Sequence, residues 1–183
     1  MRNSTEVIEN LLVEMNCTVL SYHVGVKCTG RTLAELIAGT AMFPGGTGLW
    51  RGNSNGGSLP EHFPEKPVMF IGHNFDSINA YDRAIRAKGE VDSTFWTNLQ
   101  AFIHSASLDP ADCFFTNALM GLKPDSASGP MPTCSNYEEQ CLQFLFKQVE
   151  IVTPRAVVTL GGEAQKRWND YEDFTARCEQ YLR

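Results

Sequence analysis

The chain has 183 residues, 43% of them hydrophobic and 20% charged, the composition of one average globular domain that buries about 70% of its unfolded surface. Fifteen basic against 21 acidic side chains give a net charge of -6, so any hold on a polyanion has to come from a local basic patch rather than a global field. The longest apolar runs, Pro67 to Gly72 and Ala156 to Gly161, are far shorter than the roughly 18 residues of a membrane span, and Met1-Arg2-Asn3-Ser4-Thr5-Glu6 does not open a secretory signal. A mature cytoplasmic chain with no membrane contact is expected.

Helical periodicity comes first. Val7, Leu11 and Leu12 share a face over Glu6 to Met15, and Leu33, Leu36, Ile37 and Met42 share another over Thr32 to Met42, so both segments are expected as amphipathic helices. Residues 44 to 58 are rich in Gly, Asn and Ser and are expected as a surface loop or lid. They lack the Gly-Lys-Ser/Thr or Gly-x-Gly-x-x-Gly spacing of a phosphate cradle, which argues against a nucleotide loop. Residues 1–60 are thus expected as a helical segment and loop packed on an α/β domain over 61–183.

From Pro67 the pattern changes to short apolar runs alternating with longer periodic segments. Val68 to Ile71, Cys113 to Thr116 and Ala156 to Leu160 read as buried strands, and Phe95 to Ile103, Asn136 to Val152 and Gly161 to Leu182 as helices. Strand alternating with helix predicts a short parallel sheet with helices on both faces, a three-layer α/β/α architecture. Six cysteines, at 17, 28, 113, 134, 141 and 178, contain no Cys-x-x-Cys pair and are expected as reduced thiols.

Ligands in such sheets bind beyond the carboxyl ends of the strands. The first strand is followed by Gly72, His73, Asn74, Phe75 and Asp76, the second by Asn117, and the third by Gly161-Gly162-Glu163 at a helix start. Gly72 permits close backbone approach, while an imidazole, a carboxamide and a carboxylate fall within four positions. Asn117 offers a donor and an acceptor side by side, which suits the edge of a pyrimidine. Structural readings stand beside these: Asn74 and Asp76 as helix caps, Asn117 as a turn residue, and Phe95-Trp96, Phe114-Phe115 and Phe144 as packed core.

Three blocks of the sequence resemble the uracil-DNA glycosylase superfamily. Val68-Met69-Phe70-Ile71-Gly72-His73-Asn74-Phe75-Asp76 is similar to the strand and water-positioning loop written G-Q-D-P-Y or G-[I/M]-N-P-G in its branches. Phe95-Trp96 through Cys113-Phe114-Phe115-Thr116-Asn117 resembles its aromatic-led helix and the strand ending in Thr-Asn. Glu138 through Gly161 is similar to its long helix, Pro and Leu-Gly strand end. The likeness spans about residues 67 to 165.

The resemblance implies that Asn74 orients the attacking water, that Asn117 hydrogen-bonds a flipped base, and that Phe95 or Trp96 stacks on it. Asp76 and His73 are the bases within reach, and Gly72 and Phe75 complete the substrate pocket. Phe75 stands where the family has Pro, and Asp76 where it has Gly or Tyr, a position that excludes thymine. Residues 78 to 89 are an insertion whose Arg83, Arg86 and Lys88 read either as a DNA phosphate patch or as a solvated helix face. No metal or other cofactor is expected. Of the four cysteines that hold an iron-sulfur cluster in some branches, Cys141 matches one, Gly121 stands in place of another, and the N-terminal pair is absent.

The fourth strand and the His-Pro-Ser motif of the family find no match before Arg183, so the sheet is expected to lack its last edge strand and to offer that edge to a protein partner. Two function classes follow. One is a monofunctional glycosylase of base excision repair, hydrolysing the bond to uracil or another deaminated base in single- or double-stranded DNA. The other is a catalytically inactive or truncated relative that binds a nucleobase, a nucleotide or a protein.

Overall fold

The computed structural model describes residues 1–18, 22–30, 32–50, 58–89, 94–124 and 131–181, with side chains as far as residue 173. In chain order the elements are α1 (Ser4–Thr18), β1 (Lys27–Cys28), β2 (Val68–Gly72), α2 (Ile78–Ala87), α3 (Thr94–Ser105), β3 (Cys113–Asn117), β4 (Gly121–Leu122), α4 (Ser135–Val152), β5 (Ala156–Thr159) and α5 (Gly162–Tyr181). β2 lies between β3 and β5, all three parallel, in the order β3-β2-β5. β1 and β4 form a separate two-stranded antiparallel pair. The expected α/β fold with a short parallel sheet is the one observed.

Side chains alternate across a strand, so the sheet divides them between two cores. Met69, Ile71 and Phe114 join Val7, Ile8, Leu11, Leu12, Phe144 and Leu145, which seats α1 and α4 on one face. Val68, Phe70, Cys113, Phe115 and Val158 meet Trp96, Leu99 and Ile103 of α3 on the other. β2 and β3 are buried throughout, and each fully buried large side chain such as Phe70 or Phe115 contributes roughly 1.5–3 kcal/mol. Gly72 and Asn117, in register as the last residues of β2 and β3, continue the alternation on the α3 side.

Local signals set the element ends. Ser77 caps α2 by accepting from the Ala80 amide at 3.3 Å, and Asp109 caps the short 3-10 turn before β3 through the Ala111 amide at 2.9 Å. Thr153, left-handed at φ 51°, ends α4, and Pro154 blocks its continuation. The side-chain oxygen of Thr116 donates to that of Gln148 at 2.5 Å and ties β3 to α4 inside the core.

Two expectations of the N-terminal part are corrected. The helix over Thr32 to Met42 reduces to a 3-10 turn at Leu33–Glu35, because Ile37, Ala41, Met42 and Phe43 are buried against the sheet rather than arrayed along a helix face. The start of the glycine-rich stretch is no surface loop or lid. Residues 41–49 are buried and run along the outer edge of β3, with the Phe43 amide bonded to Phe115 O at 3.0 Å and the Phe115 amide to Gly48 O at 2.8 Å. The glycines there serve close packing: a Cβ on Gly46 would lie 1.6 Å from Thr40 O, and one on Gly48 2.2 Å from the Phe114 ring. Residues 51–57 of that stretch lie outside the described residues.

On the opposite side, β5 pairs with β2 alone among the described residues, and its side chains are half-buried or exposed. Among the described residues no helix is long and apolar enough to cross a membrane.

Candidate functional site

The loop after β2 runs beside the segment after β3 and is fastened to it through the backbone. The Ala118 amide donates to Gly72 O at 2.8 Å, Leu119 to His73 O at 2.9 Å, Lys123 to Asp76 O at 2.9 Å, and Ile78 to Lys123 O at 3.0 Å. These bonds use backbone groups of both segments and leave the loop's side chains to project over the ends of the strands. There they line a cavity of about 350 Å³ together with Phe95 and Trp96 of α3. All eight residues singled out as catalytic or substrate-binding, Gly72, His73, Asn74, Phe75, Asp76, Phe95, Trp96 and Asn117, border this one cavity.

Asn117 is 1% exposed, and its Nδ2 donates to Phe43 O at 3.3 Å. One amide hydrogen is thereby committed, while the second hydrogen and the oxygen remain as a donor and acceptor pair. Gly72 makes room for that amide, since a Cβ on it would stand 2.6 Å from Asn117 Oδ1 and 2.9 Å from Met42 Cε. The cap and turn readings of these amides do not hold: Ser77 caps α2, Asn74 Nδ2 donates to Asp76 O at 2.9 Å, and Asn117 ends a strand. With its NH2 group directed to Asp76 and its oxygen in the hydrogen bond with His73, Asn74 offers water or a ligand the second lone pair of that oxygen.

Burial holds His73 below the usual histidine range, helped by Arg167 and Lys123 and opposed chiefly by Glu163 and by the hydrogen bond to Asn74. A lowered pKa favours the neutral imidazole, the form that can accept a proton. Asp76 takes up φ 104°, a conformation glycine adopts freely, and its carboxylate lies 3.7 Å from Lys123 Nζ. Phe75, in place of proline, sets its ring edge-to-face with Tyr81 at 5.5 Å and against the backbone of Gly45. Phe95 is 46% exposed at the cavity, whereas Trp96 is buried against Trp50 and Phe115.

Arg83, Arg86 and Lys88 stand exposed on α2 and its C-cap, outside the cavity. The sequence reading missed Met42 and Leu160 as lining residues and Lys123 as the cation beside Asp76. A signal existed for Met42 in the apolar run Ala41-Met42-Phe43, and for Leu160 in its position at a strand end. The residues do not fit an iron-sulfur cluster: a Cβ on Gly121 would meet Val26 at 2.5 Å, and no three His, Cys, Asp or Glu side chains gather among the described residues.

Residues 59–180, well over half of the chain, match the family model described as Uracil DNA glycosylase superfamily. The chain belongs to this superfamily. No curated protein matches the chain closely enough to count as a relative. The matched span contains the three sheet strands and, apart from Met42, every residue lining the cavity.

Proposed function

We propose that the protein is a monofunctional DNA glycosylase that hydrolyses the N-glycosidic bond of uracil, or of another deaminated base, flipped out of DNA. The observation that carries this reading is the buried Asn117 carboxamide facing the same cavity as Asn74 and the half-exposed ring of Phe95. Uracil presents an N–H flanked by carbonyl oxygens, which matches the donor and acceptor left on Asn117. Phe95 supplies an aromatic face for stacking, and unstacking the target is how such chemistry reaches a base. Superfamily membership supports DNA as the polymer.

Water held by the Asn74 oxygen adds to C1′ as the bond from C1′ to the base nitrogen breaks. The electron pair leaves on the base, whose anion is stabilised by hydrogen bonding to Asn117. The water gives up its proton to neutral His73, the acceptor this reading assigns. The Asp76 carboxylate favours positive charge developing on the sugar. Arg83 and Arg86 on α2 and Lys88 at its C-cap are assigned to phosphates of the flanking strand.

One observation favours the second reading, a member that binds a base without cleaving it. A carboxylate bordering the cavity opposes negative charge on the leaving base, and Asp76 stands where glycine or tyrosine is usual. Single-turnover scission of a single-stranded oligonucleotide carrying one uracil, after alkali, tests the choice. Scission by the protein that is lost in Asn74→Ala supports the glycosylase. Absence of scission from folded protein, with uracil still perturbing the NMR signals of cavity residues, establishes the binding module.

A further inference from the structure

α3 carries two half-exposed aromatic rings, Phe95 at 46% and Phe102 at 50%, the exposed large aromatic side chains among the described residues. Seven residues separate them, two helical turns within about 20° of each other around the axis, so both stand on one face roughly 10.5 Å apart. Phe95 borders the cavity, and Phe102 extends the same face away from it.

Neither ring is loose. Phe95 is propped edge-to-face by Trp96 at 5.6 Å and Phe102 by Phe70 at 6.5 Å. Trp96 and Phe70 both pack on Phe115, at 5.5 and 5.4 Å, so a single buried aromatic cluster supports the two exposed rings. Ordering them on a ligand costs little side-chain entropy because the core has already restricted them. α3 is also the long helix without a carboxylate, its sequence TFWTNLQAFIHS holding only His104 as a titratable group in a chain of net charge -6. An anionic strand meets no like charge on this helix. Between the rings, Asn98 is exposed, a neutral side chain.

We propose that this face of α3 is a stacking platform for unpaired DNA: the target base lies against Phe95, and a base further along the same strand stacks on Phe102. The separation corresponds to roughly three nucleotides of a stacked strand at 3.4 Å each, and to fewer in a stretched one. This inference rests on the reading of the cavity as a nucleobase site and adds to it that the substrate is a single strand, or a duplex locally opened, rather than a free base or an intact helix. Aromatic stacking is tolerant of sequence because every base has a π-face.

Fluorescence anisotropy with a labelled, uracil-free single-stranded oligodeoxynucleotide tests it in the full chain, for the native protein and for Phe102→Ala, Phe102→Leu and Phe102→Tyr. Leu keeps bulk against Phe70 and so separates loss of the ring from loss of the fold. The expected result is affinity about tenfold weaker for Ala and Leu and retained for Tyr, within the range of one base–aromatic stack. The ratio is expected to hold between about 50 and about 200 mM salt, because no charge is removed. Equal weakening on the fully paired duplex, unchanged affinity in the Leu variant, or no strand binding by the native protein overturns the proposal; the last leaves the face to a protein partner. Cleavage of a uracil strand by native protein with Phe102→Leu binding unchanged removes the platform and keeps the glycosylase. Ring-dependent strand binding without cleavage does the reverse.

Discussion

Gly72 and Asn117 are direct partners in the β2–β3 register, and the space a Cβ would take on Gly72 is filled by the side-chain oxygen of Asn117 at 2.6 Å. The glycine therefore shapes the cavity wall through what it leaves out. Gly72→Ala is expected to displace the carboxamide from Phe43 O and to weaken nucleobase binding about tenfold, the loss of roughly one good hydrogen bond to a buried group. Overpacking adds a destabilisation of about 1–3 kcal/mol. Titration with uracil followed by NMR, beside a denaturant melt, checks both, and unchanged binding removes the steric argument.

Asp76 holds a backbone conformation that suits glycine, at φ 104°, and its ion pair with Lys123 is long, the carboxylate half exposed and the lysine largely buried. A non-glycine residue so placed stores about 1 kcal/mol or more, while a pair this long with a solvated carboxylate returns about 0–1 kcal/mol. Asp76→Gly is thus expected to stabilise the fold by about 1 kcal/mol or leave it level. With the carboxylate assigned to favour positive charge on the sugar, the same variant is expected to lower the cleavage rate. A loss of stability above 1 kcal/mol in a chemical melt contradicts the strain assignment.

His73 has its pKa lowered mainly by burial, which fixes the sign of its contribution with pH. The unfolded chain binds the proton more tightly than the folded one, so the stabilising effect is complete above the ordinary value of 6.5. It is lost progressively as the pH falls through 6.5 toward the lowered folded value, below which the loss is constant. His73→Gln is expected to flatten that part of the stability curve, read as Tm against pH from 7.5 to 5, roughly the histidine range. A variant that keeps the full native slope there assigns it to other groups.

Arg2 reaches across to the end of α4, donating to the carbonyls of Ile151 and Val152, with its guanidinium 5.0 Å from the centre of the Phe63 ring. A cation at a helix C-terminus meets carbonyls that have no helical partner. Arg2→Ala is expected to destabilise the protein by about 1–2 kcal/mol, and Arg2→Lys, which lacks the planar fork, by about half of that. Equal stability of all three proteins in urea shows the contact to be energetically silent.

The strands and the helices from α3 onward were legible because their apolar positions follow a period that one chemical pattern produces. Val68 to Ile71 and Cys113 to Thr116 are short, apolar and bounded by turn residues, and they became β2 and β3 extended by a single residue each. The strand-end rule then pointed to Gly72, Asn74 and Asn117 before any contact was known. Thr32 to Met42 misled because its apolar spacing satisfies a helix and an extended edge segment equally well. The glycines from 45 to 48 misled because low side-chain volume reads as flexibility, whereas here it permits backbone approach to Phe75, Thr40 and Phe114.

The sequence by itself determined the parallel α/β core, the residue types at the strand ends and the likeness that became superfamily membership, since periodicity, turn chemistry and motif spacing are local properties of the chain. Only the tertiary structure decided that those residues border one cavity, that Phe43 carbonyl and Met42 belong to the surroundings of Asn117, and that Phe95 and Phe102 share a face over a common aromatic cluster. These are contacts between segments tens of residues apart. They are set by which surfaces the whole fold must bury together, and no local pattern encodes that choice.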